Sequence, residues 1–443
     1  MSSLNPQLIA QVHFLQRQAA SLLVYQSVLT EAMGQAFLNL LAVLERESNP
    51  LDCLRAYGCL FHQQAIHQNC WPDYLIAQIM RANNPFSQQA QQTDFQDLPS
   101  SLIAAAQSDL QCLQSLYNCS GEQLSQWIQQ LIPSSEPAVI WQQEPDLVDK
   151  IEELPLRTQL KKLENWADAV EGLAAHYRQF GVGLFAASQA FRWQNRELIS
   201  ISHPDPVHLG QLVGYESQRQ VLLKNTEFLL AGYPAQNVLL YGSRGSGKSS
   251  LIKALLHQYG DRGLRLIEVA KSDLKDLPVV IELLRGTPHK FIIFVDDLSF
   301  EEDDDTFKAL KVVLEGNLTA RPQNVVVYAT SNRRHLVREY FTDRPQPRDI
   351  DEVQAWDTVS EKLSFSDRFG LTLTFEPANQ QTYLKMVHHL AALAGIRLNR
   401  EELEFRALQW ATRHNGRSGR SARQFVDFLS AELALFPVHG SLS

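Results

Sequence analysis

Residues 237–250 read Asn-Val-Leu-Leu-Tyr-Gly-Ser-Arg-Gly-Ser-Gly-Lys-Ser-Ser. An apolar run from Val238 to Tyr241 stops at Gly242, the pattern Gly-x-x-x-x-Gly-Lys-Ser occupies Gly242 to Ser249, and an apolar, helix-competent segment follows from Leu251 to Leu256. Strand, glycine loop and helix in that order are the setting of a phosphate-binding P-loop. The glycines let the backbone take positive φ and turn its N–H groups inward on an anion. The helix start adds unpaired donors and a partial positive charge. The spacing predicts that Gly242, Ser243, Arg244, Gly245, Ser246, Gly247, Lys248, Ser249 and Ser250 cradle ATP. Lys248 would reach the β- and γ-phosphates, and the Ser249 hydroxyl would ligate Mg²⁺.

Two further apolar runs lie downstream. Phe291 to Asp297 (Phe-Ile-Ile-Phe-Val-Asp-Asp) suits a strand buried in a parallel sheet, ending where α/β proteins bind ligands. Asp296 would hold Mg²⁺ through water, and Asp297 would orient and deprotonate the water that attacks the γ-phosphate. Asn324 to Thr330 reads as another buried strand and runs into Ser331-Asn332, whose amide could bond both the γ-phosphate and that water. Leu264 to Val269 alternates as a strand, and Asp273 to Leu284 reads as a helix entered through Ser272 as N-cap. The acidic run Glu301 to Asp305 reads as a solvated helix start rather than a metal site. Upstream, Leu212 to Glu216 leads into a helix ending near Ala231, where many ATPases carry the segment covering adenine. Beyond a charged, proline-bearing insertion (Thr342 to Trp356), Leu371 to Phe375 is a short strand. After Pro377 the chain is helical to Phe436.

Residues 1–200 have another character. Apolar residues at near-3.6 spacing (Leu8, Val12, Leu15, Ala19, Leu22, Leu23) predict helices, with a break at Pro50, a Gln-rich loop over 83–101, and no strand pattern. Trp71, Trp127, Trp141 and Trp166 read as core anchors. Cys59, His62, His67 and Cys70 have a zinc-like spacing, but on one helix they would span about 16 Å, too far for one tetrahedral site.

The 443 residues predict more than one core, and 44% hydrophobic with 20% charged residues describes an ordinary globular chain. Residues 1–200 hold 19 acidic and 11 basic side chains, the remainder 30 and 29, so neither part is basic enough for a broad nucleic-acid surface. The chain has no apolar run of about 18 residues that would span a membrane. Five cysteines, all before residue 120, and an N-terminus without a secretory signal predict reduced thiols and a cytoplasmic location.

With these residues in view, the second half resembles the AAA+ ATPases over roughly residues 203–436. Gly242–Ser249 is similar to Walker A and Phe291–Asp297 to Walker B. Ser331-Asn332 matches the sensor-one position, Asp367-Arg368-Phe369 the arginine-finger box, and Arg420 the second sensor, with Arg423 one turn further on as the competing choice. The whole pattern looks closest to a bacterial branch of predicted ATPases catalogued as a domain of unknown function. The resemblance implies a three-layer αβα core with a parallel sheet over 203–376, a helical lid over 377–443, and a homo-oligomer, ring or similar, in which Arg368 reaches a neighbour's γ-phosphate. Residues 1–200 would be a separate, mainly helical region facing an unknown protein partner. Where the family usually has Asp-Glu, this chain has Asp296-Asp297, so hydrolysis could be slow or Glu301 could substitute. Between Val269 and Phe291 there is no aromatic–apolar–glycine triplet of the kind threading motors use. The leading expectation is a Mg²⁺-dependent ATPase coupling nucleotide state to conformation. A slowly hydrolysing nucleotide-gated scaffold and a P-loop phosphotransferase are the alternatives.

Overall fold

The computed structural model describes residues 6–46, 49–131, 138–142, 155–299, 310–311, 313–314, 322–332, 368–414 and 416–436. The chain divides into two compact units, Met1–Ala187 and Ser188–Ser443.

The first unit is helical among its described residues. It contains α1 (Pro6–Ala20), α2 (Ala32–Glu45), α3 (Pro50–His67), α4 (Trp71–Arg81), α5 (Pro85–Ala90), α6 (Ser100–Tyr117), α7 (Gly121–Leu131), α8 (Pro155–Lys162), α9 (Val170–Phe180) and α10 (Gly183–Ala187). Leu8, Val12 and Leu15 are buried as their spacing requires, whereas Leu23, beyond the end of α1, is 62% exposed. The break expected at Pro50 is present between α2 and α3, and Pro50 itself takes the first turn of α3, where no N–H is needed, with Asn49 capping Leu51 N at 3.1 Å. The Gln-rich loop expected over 83–101 contains α5 for the same reason. Asn84 accepts from Ser87 N at 2.8 Å, Ser87 Oγ accepts from Asn84 N at 2.9 Å, and Phe86 is fully buried. Trp71 stacks on Phe37 at 3.9 Å and donates to Leu116 O, so it anchors the core as expected. All five thiols are free, and no group of three metal ligands occurs among the described residues.

The turn after α1 is held by one buried carboxylate. Asp109, fully buried on α6, accepts from Leu23 N (2.9 Å), Val24 N (2.7 Å) and Tyr25 N (2.8 Å). Asp109→Ala strands three backbone donors and should cost about 3 kcal/mol or more. Asp109→Asn, which keeps an acceptor, should cost less. Urea unfolding followed by near-UV circular dichroism would measure both. Burial also pushes the His176 imidazole of α9 down to about 4. A histidine held neutral in the fold contributes stability that is complete above its unfolded value near 6.5 and is lost as pH falls through 4. The first unit should therefore weaken by roughly 3 kcal/mol between those limits. His176→Phe should flatten that part of a stability–pH curve.

The second unit is built on a seven-stranded sheet. It begins with β1 (Ala190–Gln194) and β2 (Glu197–Ser200), an antiparallel hairpin whose first strand pairs in parallel with the sheet. This corrects the expectation of no strand before residue 200 and sets the start of the unit at Ser188, ahead of the expected 203. Next come α11 (Glu216–Leu230), β3 (Val238–Gly242), α12 (Lys248–Tyr259), β4 (Leu264–Val269), α13 (Leu277–Leu284), β5 (Lys290–Val295), β6 (Val325–Ser331) and β7 (Leu371–Phe375). The order β2-β1-β4-β5-β6-β3-β7 is parallel apart from the hairpin. Side chains alternate between the two faces of each strand. Val238, Leu240, Ile292, Phe294, Val326 and Tyr328 meet α11 and α12 on one face. Leu239, Ile293, Val295, Val327 and Ala329, which alternate with them, are buried too, so both faces are covered, as a three-layer αβα core requires. The helix expected from Asp273 starts later: Lys271–Asp276 is a 3₁₀ turn, and Ser272 bonds Asp273 instead of capping α13.

The C-terminal helices α14 (Gln380–Leu393), α15 (Arg400–Arg413) and α16 (Gly419–Leu435) pack around Tyr383, Val387, Ala407 and Phe425 as the expected lid. Lys385 of α14 lies 2.8 Å from Glu216 of α11, and its hydrogen bond is the main reason the Glu216 carboxyl stays at about 2. Tyr215 Oη donates to Glu376 O at 2.6 Å, tying the core to the segment that leads into the lid.

Candidate functional site

Strand β3 is flanked by β6 and β7, while the chain leaving it crosses through α12 to β4 on the far side of β5. That switch in strand order opens a crevice beyond the carboxyl ends of β3 and β6. The glycine loop fills it. Gly242 is required by contact: a Cβ there would sit 2.0 Å from Phe375 O on β7. Gly245 has φ +73, and its carbonyl accepts from Arg420 N of α16 at 3.0 Å. The loop is therefore gripped by the sheet on one side and by the lid on the other.

Lys248, at the first turn of α12, is only 7% exposed. Its ammonium donates to Gly242 O (3.0 Å), Ser243 O (2.8 Å) and Asn332 Oδ1 (3.4 Å). Burial pushes its pKa below the ordinary lysine value; Asp296 and Asp297 oppose that shift, and the positive charge of Arg420 adds to it. Ser249 Oγ donates to Asp296 Oδ1 at 2.6 Å. Asn332 Nδ2 donates to Asp297 Oδ1 at 2.6 Å, so one amide spans from the lysine to the second aspartate. Asp297 has φ +50, the left-handed region that non-glycine residues seldom adopt.

A cleft of about 640 Å³ runs along these groups. Its polar lining includes Arg244, Ser246, Gly247, Ser250, Asp297 and Arg420 together with Lys248, Ser249 and Asp296. Ser246 Oγ is buried there without a hydrogen-bond partner among the described residues. Its apolar lining includes Val207, Leu212, Val213, Tyr215, Met386 and Leu390. A cleft lined by both charged groups and apolar side chains fits a phosphorylated ligand carrying a flat ring. The oxygen pair on Ser249 and Asp296 is the hard donor set that suits Mg²⁺.

The residues expected from the glycine loop, Asp296, Asp297, Asn332 and Arg420 thus converge. Arg423 also lines the cleft but pairs with Asp427 (3.5 Å), whereas the Arg420 charge is felt at Lys248. Arg368 does not join them. It precedes β7, whose far end meets Gly242, so it lies roughly one strand length, ~16 Å, from its own loop. Asp367, Glu361, Arg333, Arg334, the run 301–305 and the insertion 342–356 fall outside the described residues.

One residue of the cluster was not singled out from sequence. Thr330 Oγ1 donates to Asp296 Oδ1 at 2.5 Å and accepts from Asp297 N at 2.9 Å. The available signal was the pair of hydroxyl residues, Thr330-Ser331, that closes a largely apolar strand.

The family model described as "Protein of unknown function (DUF815)" matches residues 186–433. The ATP-dependent zinc metalloprotease FtsH of Aquifex aeolicus is 23% identical over 266 residues, covering 51% of this chain and 41% of that protein. The chain thus spans about two fifths of that relative's length. Among solved structures, the RuvB Holliday junction branch migration motor of Thermotoga maritima is similar at a TM-score of 0.36 and 16% identity, over 52% of this chain and 66% of that one. A substituted form of the same motor gives 0.36 and 15%, over the same shares of the two chains.

Proposed function

The chain belongs to the DUF815 family, and from that premise we propose that its second unit, an AAA+ P-loop core, binds ATP with Mg²⁺ in this cleft and hydrolyses it. The observation that carries the reading is the single hydrogen-bonded cluster in which Thr330 joins Ser249 and Asp296 to Lys248, Asn332 and Asp297. No ordinary strand–turn–helix needs a buried lysine held by its own loop beside two adjacent carboxylates.

In this reading the loop amides of 242–250 would hold the triphosphate, and apolar side chains of the same cleft, Val213 and Leu390 among them, would receive the base. Ser249 and Asp296 would hold Mg²⁺, which would supply positive charge to the phosphate oxygens. Lys248 neutralises the same oxygens from the loop side. Asp297 accepts the proton of the attacking water, and Asn332 keeps that carboxylate turned toward the γ-position. Arg420 reports on the same phosphate from the lid. Arg368, remote from its own loop, serves a neighbouring copy in a ring or similar oligomer. The first unit then takes nucleotide-driven motion to a protein partner. A slower, scaffold-like variant of this reading is favoured by the short Asp297 side chain and the bond that holds it to Asn332.

Phosphate release measured against protein concentration tests this. Specific activity should rise cooperatively, and mixing Arg368→Ala with Lys248→Ala subunits should restore part of the activity that each lacks alone. An arginine supplied in trans is worth roughly 10³ to 10⁵ in rate. If the mixture stays as inactive as its components, Arg368 has no role across a subunit boundary.

A further inference from the structure

We propose that Thr330 is a positioning residue for hydrolysis: one hydroxyl sets both the metal-side carboxylate of Asp296 and the backbone that aims Asp297. The inference rests on the nucleotide reading above and deepens it.

A threonine hydroxyl has one proton to give and two lone pairs to receive. Here the proton goes to Asp296 Oδ1 (2.5 Å), and a lone pair takes the N–H of Asp297 (2.9 Å). The Thr330 carbonyl takes the next N–H, that of Leu298, at 2.7 Å. Thus both peptide groups that follow Asp296 are pinned to a single residue of β6. Thr330 is 2% exposed, so solvent cannot replace those bonds.

The consequence falls on Asp297. Its φ of +50 is a conformation that a residue with a Cβ keeps only where its surroundings hold it. In the extended conformation that would continue β5, successive side chains alternate faces, and Asp297 would not share the side it now shares with Asn332. The Thr330 bond stabilises the departure from the strand exactly where the second carboxylate must turn. Asp296 Oδ1 meanwhile receives two hydroxyl donors, Ser249 from the glycine loop and Thr330 from the sheet. The sheet-borne donor holds the carboxylate independently of the loop.

Thr330→Val keeps the shape and the buried methyl but removes both bonds; Thr330→Ser keeps both bonds. Two readouts apply to the full chain: the magnesium-dependent gain in affinity for a fluorescent ATP analogue, and kcat for phosphate release. Thr330→Val should lose roughly tenfold or more in each, the usual cost of removing a group that orients a metal ligand. Its affinity in EDTA should stay within about threefold of the parent, and Thr330→Ser should stay within about threefold throughout. The proposal is overturned if Thr330→Val retains both quantities, if Thr330→Ser falls as far as Thr330→Val, or if affinity in EDTA drops in step. Should Thr330→Val fail to fold, Thr330→Ala against Thr330→Ser decides by the same criteria. A parent chain that gains no affinity from magnesium defeats the proposed function itself, and this inference with it, before any substitution is made.

Discussion

Lys248→Ala is expected to lower ATP affinity by about two orders of magnitude or more, enough to leave calorimetry of the magnesium complex without measurable heat. Two effects combine. The ammonium is the buried positive charge of the loop, and each charge-assisted contact it makes with phosphate oxygens is worth about 1.5–3 kcal/mol. Its removal also leaves Gly242 O, Ser243 O and Asn332 Oδ1 without the donor that now gathers them. Lys248→Arg is a weak rescue, because a planar fork cannot point at three separated acceptors as a tetrahedral ammonium does. The overall fold should survive, since the sheet and α12 keep their apolar contacts. Far-UV circular dichroism would verify that. Affinity within about threefold of the parent would show that phosphate does not bind in this loop.

The second large effect separates binding from chemistry. Asp297→Asn should leave ATP affinity close to the parent's while reducing turnover by roughly 10² to 10⁴, the usual contribution of a placed general base. The backbone makes this an unusually clean substitution. Asp297 is left-handed, and asparagine is among the few residues that accept that region readily, so the change removes charge and basicity without disturbing the chain path. Single-turnover phosphate release, with binding followed separately, distinguishes the outcomes. Normal hydrolysis by the variant would take the base role from Asp297. The trapped complex is also the form with which to test whether the first unit binds a protein partner.

The parts of this molecule that were readable beforehand are those whose meaning is local. The glycine loop announces itself because Gly242, Gly245, Gly247 and Lys248 are needed at fixed offsets, whatever surrounds them. Strands β5 and β6 are continuous apolar runs of a kind only a doubly covered strand tolerates. The β1–β2 hairpin escaped because its turn, Asn195-Arg196, reaches left-handed φ at both positions without a glycine to mark it. The short helix α5 escaped because Asn84-Pro85 signals a turn as readily as a cap and first helical residue. Thr330 was hidden for a deeper reason. Its role depends on register: Val295 pairs with Ala329, which brings Asp296 beside Thr330 one step later. No single stretch of sequence contains that adjacency.

The bond from Arg420 N to Gly245 O ties the phosphate cradle to the last long helix. A hydrogen bond weakens steeply once its atoms separate by a few tenths of an ångström or its angle opens. Tilting α16 by even a small angle must therefore either tug on the Gly245 peptide or snap the link. The C-terminal bundle and the anion-binding amides thus behave as one mechanical train, with a main-chain carbonyl as the coupling pin.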